Sequence, residues 1–177
     1  SVYAQQFARA DWLRQPHTSA VRSYMKNILL IAALVCLLPL GVNATSVSPI
    51  TLEQLVKESD HIIVANVVKV DMVNGKGEKV KEKTAMTGPG LDNEIRFHLD
   101  VKEIIYTKSK KFPTKVLVPL WKAWHYQLGE IQSIVTGNTS IFLLKDGYIP
   151  AYPQNFQRSI GEKEEIMNLI RKYHATQ

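Results

Sequence analysis

EIRFHLDVKEIIYT, residues Glu94 to Thr107, is the stretch on which the fold turns. Its first half alternates. Ile95, Phe97, Leu99 and Val101 fall on one parity, and Arg96, His98, Asp100 and Lys102 on the other. Successive side chains of a strand point to opposite faces, so this is a half-buried β-strand with one apolar and one polar face. The parity then slips, because Ile104 and Ile105 are both apolar. A bulge near Lys102-Glu103 accounts for the slip and bends the strand.

Upstream, IIVANVVKVDMV (Ile62 to Val73) is rich in β-branched residues and free of Gly and Pro. It predicts a second long strand. Val68, Val70 and Met72 share one parity while Val67 and Val73 share the other, which implies burial on both faces at one end, or a bulge. Between the two strands lies NGKGEKVKEKTAMTGPGLDN, Asn74 to Asn93, with four glycines, Pro89 and mixed Lys and Glu. It reads as a solvated hairpin loop. A loop of this length is usually functional or disordered, which makes Lys76, Lys79, Lys81 and Lys83 candidate contact residues. Before the strands, Thr51 and Gln54 have the spacing of a capping box, and a short helix over about Leu52 to Ser59 follows, with Leu52, Leu55 and Val56 as its stripe.

Downstream, TKSKKFPT (Thr107 to Thr114) is a basic turn, and Lys115 to Trp124 predicts a third strand whose Pro119 marks an edge or a bulge. His125 to Asn138 reads as irregular. Thr139 to Lys145 is a strongly apolar fourth strand, Asp146-Gly147 is a tight turn, and Tyr148 to Tyr152 can return as a fifth strand limited by Pro150 and Pro153. After a loop over Asn155 to Gly161, Glu162 to Tyr173 is a helix, acidic in its first turn and basic in its last, with Ile166, Leu169, Ile170 and Tyr173 as its buried stripe. The expected fold class is mainly β with flanking helices, organised as a five-stranded OB-like barrel with a short N-terminal and a C-terminal helix.

Three runs carry a resemblance: Ser59-Asp60-His61-Ile62-Ile63-Val64-Ala65, then Phe97 through Ile105, then Gly137 with Ile141-Phe142-Leu143-Leu144. Together they resemble small secreted bacterial proteins with a netrin-like or tissue-inhibitor-of-metalloproteinase-like OB-fold. In the animal inhibitors of that family a disulfide-tied N-terminal cysteine chelates the target's zinc. That mechanism does not carry over, because no cysteine follows Cys36.

Met25 to Ala44, MKNILLIAALVCLLPLGVNA, reads as a secretory signal peptide. Lys26 is its positive start, Ile28 to Val42 its apolar run, and Val42-Asn43-Ala44 its small-residue cleavage site. The apolar run is shorter than the ~20 residues of a membrane-spanning helix. The expected organisation is a non-domain extension over 1–24, upstream of a native start at Met25, a signal peptide over 25–44, and one OB-like domain over 45–177. The protein is then exported, periplasmic or secreted after cleavage following Ala44, and membrane-attached only if 25–44 is uncleaved. The formal charge is +6, but from Thr45 onward 18 basic residues face 15 acidic ones, a net of +3. So mild a surplus gives little reason to expect nucleic acid as a partner. The sole cysteine, Cys36, lies within the signal, so no disulfide or thiol chemistry is expected.

No catalytic motif stands out. There is no Gly-x-Ser-x-Gly or phosphate loop after Thr45, and His61, His98, His125 and His174 are scattered. His98 and Asp100 share a strand face, but two ligands are too few for a metal centre. No cofactor is implied. The densest aromatic cluster is Trp121, Trp124 and Tyr126, with Lys122 among them. Together with Lys76, Lys79, Lys81 and Lys83 it is the expected binding surface of a non-enzymatic module, an inhibitor or accessory subunit of another exported or envelope protein. The alternatives are an oligosaccharide- or nucleic-acid-binding OB-fold using the same aromatics, or an enzyme whose catalytic geometry leaves no motif. The cluster Lys108, Lys110, Lys111 and Lys115 reads as a solvated turn that discourages edge pairing.

Overall fold

The computed structural model describes residues 48–174. The expected extension and signal peptide, residues 1–44, lie outside the described residues. The described residues fall within one compact unit, and among them no helix is long and apolar enough to cross a membrane.

The unit is mainly β, with three α-helices flanking one antiparallel sheet of six strands. Helix α1 (Leu52–Glu58) starts at Thr51, where the expected capping box is formed with Gln54. Strand β1 (His61–Val73) is the axis of the sheet. Strand β3 (Glu94–Thr107) pairs with it along its whole length, and β5 (Thr139–Leu144) covers the other edge from His61 to Asn66. Beyond Asn66 that edge is completed piecemeal. Val67 exchanges backbone hydrogen bonds with Gly137 and Asn138. The side chain of Gln132, on α2 (Leu128–Val135), donates to the Val70 carbonyl at 3.0 Å. The two-residue β2 (Lys79–Val80) then takes Met72 and Val73. Strand β4 (Lys115–Pro119) lies outside β3, and β6 (Gln157–Arg158) outside β5. Helix α3 (Lys163–His174) closes the chain.

Three bulges shape the β1–β3 pair. Val64 faces Glu103 and Ala65 faces Val101, leaving Lys102 as the extra residue, where the parity slip placed it. Ile105 is extra in the same strand, and Val68 is extra in β1, between the pairs Val67–Leu99 and Lys69–His98. The core divides about this sheet. One face carries Ile63, Ala65, Val67, Val70, Met72, Phe97, Leu99 and Phe142, with Leu128 and Val135 of α2 packed in. The other carries Ile62, Val64, Ile141 and Leu143, covered by Leu55 and Val56 of α1 and Ile166 of α3.

Four expectations need correction. The sheet does not close into a barrel: β4 and β6 are its two ends, and no ladder joins them. The turn Asp146–Tyr148 lies beside β4 instead, with the Tyr148 ring edge-on to Phe112 at 5.3 Å. The third strand ends at Pro119, which has no N–H to continue a ladder. The stretch read as irregular holds α2, whose Leu128, Ile131 and Val135 fall at helical spacing. Gly129 interrupts that pattern because a Cβ there would sit 3.0 Å from the Lys83 carbonyl oxygen. Tyr148 to Tyr152 does not form the fifth strand. Gly147 and Tyr148 both take positive φ, and Pro150 makes only an isolated bridge to Leu144. The outermost strand comes from Gln157–Arg158, within the stretch read as a loop.

Candidate functional site

The predicted aromatic cluster is real as a cluster but belongs to a turn rather than a strand. Trp121 and Trp124 follow β4, with ring centroids 6.2 Å apart, and Tyr126 stacks beyond Trp124 at 6.3 Å and 30°. All three rings are half-buried. Tyr126 packs against the main core, and that burial raises its phenol above the ordinary value.

The turn is clamped to the predicted loop. Thr87, itself buried, donates its hydroxyl to the Trp124 carbonyl at 2.6 Å and its N–H to the Tyr126 carbonyl at 2.9 Å. Its hydroxyl oxygen also accepts from the Tyr126 N–H at 3.1 Å. Leu128 N–H donates to Ala85, and Gly129 N–H to Lys83. Gly88 passes under the His125 ring so closely that a Cβ would lie 2.4 Å from Nδ1. Residues 83–88 are thus docked rather than a free solvated loop. The open part is the tight turn Asn74 to Glu78, where the Asn74 carboxamide oxygen accepts from the N–H groups of Lys76 and Glu78.

The predicted lysines separate. Lys76 and Lys122 meet across a shallow, open groove of about 600 Å³, also lined by Asn74, Gly75, Leu91 and Asp92. Lys122 pairs with Glu94 at 3.1 Å. Lys79 stands opposite Val73 in the β1–β2 ladder, on the outer face of the sheet. Lys81 and Lys83 are exposed and do not line the groove.

A second constellation was not foreseen. On the outer face of the sheet, β1 and β3 place Lys69 opposite His98 and Asp71 opposite Arg96. The Asp71 side chain is only 8% exposed. Its Oδ1 accepts from Arg96 Nε at 2.9 Å, and its Oδ2 lies 2.9 Å from His98 Nε2 and 3.3 Å from Lys69 Nζ. Burial alone would raise the carboxyl. The hydrogen bonds from Arg96 and His98, and their charges, outweigh it and hold Asp71 at about 2. His98 is therefore committed to Asp71, while Asp100 pairs with Lys102 at 2.6 Å. Among the described residues no three His, Cys, Asp or Glu side chains converge as metal ligands. The polar parity of Arg96 and His98 was readable, but their partnership with Asp71 depends on a register that the Val68 bulge sets.

A third network sits at the opposite end of β1. His61, 1% exposed, has Nδ1 at 2.8 Å from the Thr107 hydroxyl and Nε2 at 3.2 Å from Asp146. The Thr107 oxygen also accepts from the Ser109 N–H, and the rings of Phe112 and Tyr148 enclose the imidazole. Beside it Lys108, from the basic turn, bonds Asp60 at 2.6 Å, a contact that lowers the carboxyl and raises the amine. These groups tie together the start of β1, the end of β3 and the turn after β5.

No protein-family model matches the chain, and a comparison with curated proteins finds no relative.

Proposed function

We propose that the protein is an exported, non-enzymatic binding module, periplasmic or secreted, that acts as an inhibitor or accessory subunit of another exported or envelope protein. The observation that carries the reading is the preorganised aromatic turn. Trp121, Trp124 and Tyr126 keep part of each ring exposed, while Thr87 bonds the turn on both sides of His125. Large aromatics held rigid before binding lose little entropy on association, and such residues dominate protein interfaces. The groove lined by Lys76, Asp92 and Lys122 adds charged groups of both signs to the rim. The strand order β4-β3-β1-β5-β6, with a helix between β4 and β5, supports a partly open OB-like arrangement of the netrin-like kind.

The test is affinity capture from an envelope extract with the wild type and a Trp121→Ala/Trp124→Ala variant. One stoichiometric partner retained by the wild type and lost by the variant is expected. Equal retention by both would overturn the assignment of this surface. Oligosaccharide binding is a second reading, favoured by the stacked Trp124 and Tyr126 rings. It requires tryptophan emission that a sugar quenches saturably. Nucleic acid fits an exported address poorly.

A further inference from the structure

We infer that Arg96, Lys69 and His98 form a binding site for a phosphate group on the outer face of the β1–β3–β4 sheet. This inference is independent of the aromatic surface proposed above.

The site is built from two rungs that follow one another on this face, with the inward-facing Val70–Phe97 rung between them. One runs Asp71–Arg96–Pro119 and the next Lys69–His98–Leu117. Asp71 holds Arg96 through Nε, and among the described residues neither terminal guanidinium nitrogen makes a hydrogen bond. The Arg96 side chain is 24% exposed, which leaves those nitrogens open to solvent in part. A guanidinium fixed at Nε and open at its two terminal nitrogens is set for two parallel bonds to an oxyanion, the geometry in which arginine recognises phosphate. Lys69 and His98 flank it with side chains 48% and 34% exposed.

The charge balance points the same way. Asp71 supplies one negative charge against the permanent cations Lys69 and Arg96. The carboxylates of the neighbouring rungs are already paired, Glu94 with Lys122 and Asp100 with Lys102. A surplus of one positive charge remains, and it becomes two if His98 is protonated. A phosphodiester headgroup carries one negative charge and a phosphate monoester about −1.5 to −2 at neutral pH, so either offsets that surplus. Leu117, 41% exposed next to His98, and Val68, 52% exposed at the bulge, offer apolar surface to whatever carries the phosphate.

The source of the phosphate is a soluble ester or ion, or a lipid headgroup, and the experiment has one arm for each. The full chain is titrated with inorganic phosphate while the Arg96 Nε–Hε resonance is followed by NMR. It is also mixed with phosphatidylglycerol vesicles, with phosphatidylcholine vesicles as the neutral control. Saturation in the millimolar range, weakened about tenfold by Arg96→Lys, is expected, since lysine keeps the charge but not the fork. Lys110→Ala, on the basic turn, should leave the titration unchanged. Saturation only with phosphatidylglycerol vesicles, lost in Arg96→Lys, would assign the headgroup. If Arg96→Lys misfolds, Lys69→Gln replaces it, with a loss of about threefold expected from one exposed cation. The proposal fails if neither probe saturates at up to about 50 mM phosphate or its lipid equivalent, or if both bind the folded variant as tightly as the wild type.

Discussion

Replacing Asp71 by Asn separates the charge of the Asp71–Arg96–His98 cluster from its shape. The carboxyl stands at about 2 in the folded protein against an ordinary 3.8. Each pKa unit corresponds to about 1.4 kcal/mol, so ionised Asp71 contributes about 2 kcal/mol to stability at neutral pH. Because its folded value is depressed, that contribution is complete above 3.8 and disappears as the pH falls through about 2. Asn resembles the protonated acid in size and keeps one acceptor. The gap between wild type and Asp71→Asn, measured by urea unfolding with tryptophan emission, should be about 2 kcal/mol at pH 7, roughly half that at pH 3 and a few tenths by pH 2. Taking the difference cancels the acid sensitivity of Asp60 and Asp100, whose carboxyls are also lowered. A gap that stays constant from pH 7 to pH 2 would refute the argument, because the loss would then come from packing. So would a gap below about 0.5 kcal/mol at pH 7, the value of an exposed ion pair.

Two further substitutions test the frame that positions the surfaces. Gly88→Ala should lower stability by about 1 to 3 kcal/mol in thermal melts, because the added Cβ meets the His125 ring at 2.4 Å on a backbone with φ +146. Adding His125→Ala should recover the steric part and leave the backbone part, and full recovery would show that the φ value carries no strain. Phe142→Ala, a fully buried ring packed against Phe156 at 6.2 Å, should cost about 3 to 5 kcal/mol in urea unfolding, and a loss under about 1 kcal/mol would contradict its place in the core.

The parts of the fold that could be read from the sequence are those written in local periodicity. Strand β3 runs from Glu94 to Thr107 as its alternation predicts, and the slip at Ile104-Ile105 located the Lys102 bulge. The capping box and both predicted helices follow from side chains a few residues apart. Helix α2 escaped because Gly129 and polar Gln132 and Ser133 dilute its stripe; the reasons for Gly129 and Gln132 lie in Lys83 and Val70, far away in the chain. Strand β6 is two residues long, too short for any period to register. The aromatic cluster and the contributions of Lys76 and Lys122 were visible as residue types, but which lysines meet depends on where Asn74 turns the hairpin. The Asp71 cluster needs a cross-strand register, and no single strand contains it.

That register follows from a conflict within β1. With unbroken alternation, Ile63, Ala65 and Val67 would share a face with Lys69 and Asp71, and two charges would enter the main core. Burying them unpaired would cost several kcal/mol each, far more than one unpaired residue in a ladder. The extra residue at Val68 resolves the conflict by exchanging the faces, so Val70 and Met72 continue the core while Lys69 and Asp71 join the face of Ile62 and Val64. Helices α1 and α3 cover that face only over its first half. The sheet therefore presents its charged rungs where the helical cover ends, and the same bulge that protects the core brings Lys69 and Asp71 onto the face to which the alternation of β3 already directs Arg96 and His98.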